Sequence, residues 1–209
     1  IEDSAHALGS HYQDKHCGGL GYSSVFSFTP HKIITMGQGG MVLTDNLETY
    51  EKLIKLKTFN RAKDKSDWHE GFGLNFKITD LQSALGLSQL SRLDSLIQKK
   101  KNIFQYFYDN LERVEMINFK EYETPWFIDI ILSTEDERNK LANHLKENFI
   151  ETRYCYPPLS LQEYLIDSEH EDLQHSEDIA QRTLWLPSST KLGEKELEKI
   201  SNTLNSFYK

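Results

Sequence analysis

The chain has 209 residues, 38% of them hydrophobic, enough for a packed core in one large or two small domains. Its formal net charge of −8 argues against a polyanion such as nucleic acid as a partner. No apolar run approaches the roughly 20 residues of a membrane span, no signal peptide is visible, and the 2 cysteines, Cys17 and Cys155, lie far apart, as fits a reducing cytoplasm rather than a disulfide scaffold or a zinc site.

Residues 1–3 read as the tail of a buried strand, and 4–21 as a loop rich in glycine and histidine. His6, His11 and His16 recur every five residues, on no common helix or strand face, so no metal site is expected there. A strand over 24–28 is broken by Pro30. Gly37, Gly39 and Gly40 then permit backbone angles closed to other residues, and a second strand covers 41–44. Lys32 therefore sits in a constrained loop between two apolar strands. Partial desolvation there would lower its pKa and make the amine a nucleophile toward a carbonyl.

A helix over 46–59 opens on Asp45 with Glu48 in a capping-box pattern. The polar stretch 60–73 reads as a loop. Thr79 caps the next helix, with Gln82 at the reciprocal position. Its apolar face begins at Leu81, Ala84 and Leu85 and runs to about residue 96, with a bent continuation to 110. Lys99, Lys100 and Lys101 read as a solvated helix face.

A second unit begins near residue 111, with strands over 116–119 and 126–132. Thr134 and Glu137 cap a helix running to Phe149, with Leu141, Leu145 and Phe149 as its apolar stripe. A short strand over 151–154 ends at Pro157-Pro158. The stretch 166–177 is acidic and expected to be mobile. Helices follow over 176–183 and 194–207, the last lined by Leu197, Ile200, Leu204 and Phe207. Strands and helices are mixed rather than strictly alternating, which gives an α+β unit.

Three motifs occur in order. Ile1-Glu2-Asp3-Ser4-Ala5-His6-Ala7-Leu8-Gly9 opens the chain. Phe26-Ser27-Phe28, Lys32 and Gly37-Gln38-Gly39-Gly40 form the second. Gly73-Leu74-Asn75, followed by Gln82-Ser83-Ala84-Leu85-Gly86-Leu87-Ser88-Gln89-Leu90, forms the third. Together they resemble the DegT/DnrJ/EryC1/StrS sugar aminotransferase family, and the resemblance runs from Ile1 to the final helix. Gln38 departs from the usual Glu and Lys77 from the usual Arg.

The resemblance implies an α/β protein of the pyridoxal phosphate (PLP)-dependent transferase fold type I. Residues 1–110 would be the C-terminal part of the large PLP-binding domain, and 111–209 a small C-terminal α+β domain. It implies PLP as cofactor, with Lys32 holding the aldehyde and later moving the substrate proton. Asp3 would meet the pyridine nitrogen, His6 the ring or its phenolic oxygen, and Ser27 the phosphate. Asn75 would reach the cofactor of a neighbouring subunit, which implies a homodimer with a shared active site. Plain structural roles exist for several of these: a turn cap for Asp3, a strand position for Ser27, a turn for Asn75, a semi-buried ring for His6.

Glu151-Thr152-Arg153 and Tyr156-Pro157-Pro158-Leu159 resemble perosamine-synthase-like members, although Ser160 stands where His is frequent. Those members aminate a 4-keto-6-deoxy sugar carried on a nucleoside diphosphate, with glutamate as donor, for glycans such as the lipopolysaccharide O-antigen. Arg153 and His31 are accordingly expected at the substrate. The alternatives are a PLP-dependent sugar dehydratase of the same family, which typically has His at the Lys32 position, and a non-catalytic regulatory or assembly protein on this fold. The resemblance also places a phosphate-binding helix start and a ring-stacking aromatic before Ile1. Residues 1–209 alone are therefore expected to be the C-terminal portion of the enzyme and to bind PLP poorly.

Overall fold

A computed structural model of the chain describes residues 1–165 and 171–209. They form two compact units. The first comprises residues 1–97 together with 121–126, the second 98–120 and 127–209. Part of the stretch expected to be mobile, 166–170, lies outside the described residues, whereas 174–177 belong to a helix.

The first unit holds a three-stranded sheet. Strand β1 (Glu2–Asp3) is followed by a small hairpin, β2 (His11–Tyr12) and β3 (Lys15–His16), and then by β4 (Ser23–Ser27) and β5 (Gly40–Thr44). β4 lies centrally, parallel to β1 and antiparallel to β5, with Ser27 opposite Gly40. The hairpin was hidden in the loop reading. It turns through Gln13 and Asp14, both at positive φ, a conformation that a two-residue hairpin turn requires.

Helix α1 (Leu47–Lys57) is capped by Asn46, whose side chain accepts the Thr49 N–H. The cap is thus one residue later than the expected Asp45. Helix α2 (Asp80–Leu90) starts at Thr79 with the full capping box to Gln82. The bend expected beyond it is a break: α3 (Leu93–Asn110) begins anew after a turn at 91–92. Phe28, Ile33 and Ile34 form the buried apolar centre of this unit, with Leu93, Leu96 and Ile97 packed against it.

The second unit is a four-stranded antiparallel sheet of β6 (Glu115–Met116), β7 (Ile128–Ile131), β8 (Arg153–Tyr154) and β9 (Thr183–Leu186), in the order β6-β7-β9-β8. Helices α4 (Glu135–Glu147), α5 (Gln174–Arg182) and α6 (Glu194–Ser206) complete it. Phe107, Ile128, Ile130, Leu141, Leu145, Leu184 and Leu204 are fully buried in one core.

β9 was not anticipated, although it lies between β7 and β8. All four of its residues are buried, so the alternation that marks a half-exposed strand is missing. α4 stops two residues short of Phe149. That residue sits at φ +61 and is 91% exposed, while Ile150 takes the buried place. Lys100 also departs from expectation. It is only 7% exposed, and its Nζ donates to the Ser188 carbonyl at 2.7 Å and hydroxyl at 3.1 Å. Among the described residues no helix is long and apolar enough to cross a membrane.

Candidate active site

The loop between β4 and β5 is closed by its own backbone. Phe28 donates its N–H to the Gly39 carbonyl and accepts the N–H of Met36. Lys32 donates its N–H to Thr29 at the turn made by Pro30 and His31. Thr35 stitches the far side, its hydroxyl donating to the Phe28 carbonyl and accepting the Gly37 N–H. Gly37 has φ +78, which glycine adopts without a side-chain penalty. Ile33 and Ile34, 7% and 4% exposed, tie the loop to the apolar centre and leave the adjacent Lys32 half-buried at the edge.

The second and third motifs meet here through one side chain. Gln82 accepts from the Thr79 N–H and hydroxyl through Oε1, and its Nε2 donates to the Gln38 carbonyl at 2.9 Å. The reciprocal half of a helix cap therefore also holds the glycine-rich loop. Because that contact uses the Gln38 backbone, it does not depend on the departure from Glu.

β1 delivers the acidic pair. Asp3 closes a local turn by accepting the Ala5 N–H through Oδ1. Glu2, unremarked in the sequence, accepts from the backbone N–H groups of Gly18, Leu20 and Gly21 and from the Ser4 hydroxyl. These donors, the Gly18 N–H foremost, hold its carboxyl below the usual range against a smaller opposing effect of desolvation. Glu2 thus folds the segment after the hairpin onto β1. The adjacent glycines of 18–21 were the available signal.

Lys32, Asp3 and His6 are close enough to act on one another electrostatically. Burial holds the Lys32 amine below its usual range, with Asp3 opposing. Burial, and after it the Lys32 charge, lower the His6 imidazole, again with Asp3 opposing. Between them lies a residue that was read only as the start of a strand. The Lys32 Nζ is 3.8 Å from the ring centroid of Trp126. The His6 ring is 3.6 Å from it, and the Trp126 Nε1 donates to the His31 carbonyl at 2.8 Å.

The other expected residues are placed as follows. Ser27 ends β4, and among the described residues its hydroxyl has no hydrogen-bond partner. Asn75 is exposed, forms a bridge with Thr58, and makes no hydrogen bond or ring contact with Lys32, Asp3 or His6. Lys77 lies 5.5 Å from the Phe59 ring. Arg153 belongs to the second unit, on β8, with its guanidinium 5.8 Å from the Tyr156 ring and 5.7 Å from that of Trp185. Ser160 donates to Glu177.

The model of the DegT/DnrJ/EryC1/StrS aminotransferase family matches residues 1–205. The chain belongs to this family. A curated relative, GDP-perosamine synthase of Escherichia coli O157:H7, is 32% identical over 211 residues, spanning 100% of this chain and 58% of the relative. The chain thus spans less than two thirds of the length of such relatives. Among solved structures, Helicobacter pylori PseC, an aminotransferase involved in pseudaminic acid biosynthesis, superposes with a TM-score of 0.90 at 27% identity. That match covers 98% of this chain and 58% of PseC. The PLP form of a putative sugar aminotransferase of Streptococcus pneumoniae, Spr1654, superposes at 0.87 with 25% identity, over 98% of this chain and 56% of that one. Both establish the α/β fold of PLP-dependent sugar aminotransferases, and PLP is the cofactor of the family. The donor set fits it: an amine with a lowered pKa, a carboxylate and an imidazole in mutual electrostatic reach, and an unengaged hydroxyl.

Proposed function

We propose that the protein is a PLP-dependent aminotransferase that converts a nucleotide-linked 4-keto-6-deoxy sugar to an amino sugar for a surface glycan, with glutamate as amino donor. The observation that best supports this is Lys32: a half-buried amine of lowered pKa beside Asp3 and His6, in a chain of this family. The name of the Escherichia coli relative supports a nucleotide-linked sugar as substrate.

PLP supplies an electron sink, which acidifies a C–H bond on the amine carbon attached to it. Lys32 would hold the cofactor through its aldehyde carbon, and its Nζ, whose pKa burial lowers, would take and return the substrate proton. Asp3, through the oxygen not committed to Ala5, would keep a proton on the pyridine nitrogen. His6 would cover the ring or its phenolic oxygen, and the Ser27 hydroxyl would donate to the phosphate. Asn75 serves the cofactor of the second subunit in a homodimer, consistent with its lack of contact with Lys32. Arg153, exposed and rigidly forked, suits a phosphate or carboxylate of the substrate, and His31 lies beside Lys32 to meet the sugar.

The experiment is reduction with borohydride in the presence of PLP, followed by peptide mass mapping, alongside amine transfer from glutamate to nucleotide-linked keto sugars. Label at Lys32, with turnover abolished in Lys32→Ala, is expected. Label at Lys15 or Lys77 instead, or undiminished turnover in Lys32→Ala, would sink the assignment.

A further inference from the structure

We propose that Trp126 is a positioning residue for Lys32, its indole face carrying the amine and its N–H fixing the backbone beside it. Trp126 is 95 residues from His31 in sequence, yet the segment 121–126 packs with the first unit. Two tethers put it there. The His11 N–H donates to the Tyr122 carbonyl at 2.8 Å, and the Thr124 N–H donates to the Ser10 hydroxyl at 3.0 Å. Both reach the loop that follows Asp3. The route from β1 to the indole is therefore short, and it places Trp126 by backbone contacts independent of Lys32.

Three contacts converge on this one side chain, and each constrains a different degree of freedom. The bond from Nε1 to the His31 carbonyl holds the peptide that leads into Lys32. Because Pro30 has no N–H and His31 lies in a turn outside any ladder, this bond pins a stretch of loop that no strand or helix secures. The ring under the Lys32 Nζ, 3.8 Å from its centroid, offers the negative face of a π-system to an ammonium that burial disfavours. The His6 ring, 3.6 Å away, packs against the same indole.

The result is an amine with a defined place to rest whenever it is not bonded to a carbonyl. A base held in place avoids the entropic cost of finding its proton from a free lysine arm. That consequence for the reaction rests on the proposed function. The support of the ammonium by the indole does not.

The test compares Trp126→Phe, which keeps a π-face, with Trp126→Leu, which keeps apolar bulk without one. Trp126→Met serves as a second π-free variant should the leucine form not fold. In protein without PLP, the rate at which trace acetic anhydride acetylates Lys32 is followed by mass spectrometry across pH. Without the π-face the ammonium loses its support, so acetylation near neutral pH should be roughly three- to tenfold faster in the leucine or methionine form than in wild type. The phenylalanine form should stay within about twofold of wild type. Equal rates in all forms, slower acetylation in the π-free forms, or a phenylalanine form that behaves like leucine would overturn the proposal. Capture of PLP at Lys32, fixed with borohydride, is measured in parallel. If acetylation shifts as expected while wild type captures no PLP at Lys32, the proposed function fails and the role of Trp126 stands. Unshifted acetylation overturns that role whatever PLP does.

Discussion

Replacing Lys100 with methionine removes a charged group from the interior of the second unit while keeping most of its length and apolar stem. The amine titrates at about 8 in the folded chain, lowered from 10.5 by burial. At pH values below 8, folded and unfolded chains both hold the proton, so the whole cost of burying an ammonium is present. Between about 8 and 10.5 the folded chain has released it and the unfolded chain has not. The unfolded chain then binds more protons, and stability rises with pH. A shift of this size corresponds to roughly 3 kcal/mol, most of it recovered by about pH 10. In the variant that cost is absent, but the Ser188 carbonyl loses the Lys100 donor, which costs about 1–3 kcal/mol. The two forms should therefore have similar stability at neutral pH. Between about pH 7 and pH 10 wild type should gain on the order of 2–3 kcal/mol over the variant. Urea denaturation of both proteins at these pH values measures the difference. If it stays flat, the Lys100 amine is not a buried ammonium at neutral pH and the reasoning is refuted.

Asp3→Asn should leave the fold intact and lower turnover by on the order of a hundredfold or more, since a neutral amide does not hold a proton on the pyridine nitrogen; a near-normal rate in steady-state assays would leave Asp3 as a turn cap only. Gly37→Ala meets no atom within 4 Å, so its cost should be the backbone strain at φ +78 alone, about 1–2 kcal/mol in denaturant unfolding. An unchanged midpoint would mean that the loop readjusts freely. Thr79→Ala should cost about 1 kcal/mol through the lost helix cap. Gln82→Ala should additionally free the Gln38 carbonyl and loosen the Lys32 loop, read as faster amide exchange at Phe28 and Met36; unchanged exchange there would mean the tie is not holding the loop.

Much of the local structure was legible in the residues. Pro30 and the glycines around Gln38 announced a constrained excursion, and the short apolar runs on either side announced β4 and β5. Thr79 with Gln82 announced a helix start, because capping is a contact between residues three apart and needs nothing distant. The three motifs likewise named Asp3, Lys32 and Asn75 as residues to follow. Where a signal was local but shared between neighbours, it slipped by one: Asn46 rather than Asp45 caps α1. Where the signal depended on contrast with solvent, it failed. β9 is buried on both faces and Lys100 is a charge turned inward, so neither shows the pattern of a half-exposed element. Trp126 lay beyond reach for a different reason. Its aromatic character suits any strand, and its 95-residue separation from His31 is spanned only because backbone bonds at Tyr122 and Thr124 draw 121–126 onto the first unit. Residue identity determined which chemistry Lys32 offers; the folded chain decided how far that amine is stripped of water and what it rests on, because desolvation and ring contact are properties of neighbours in space.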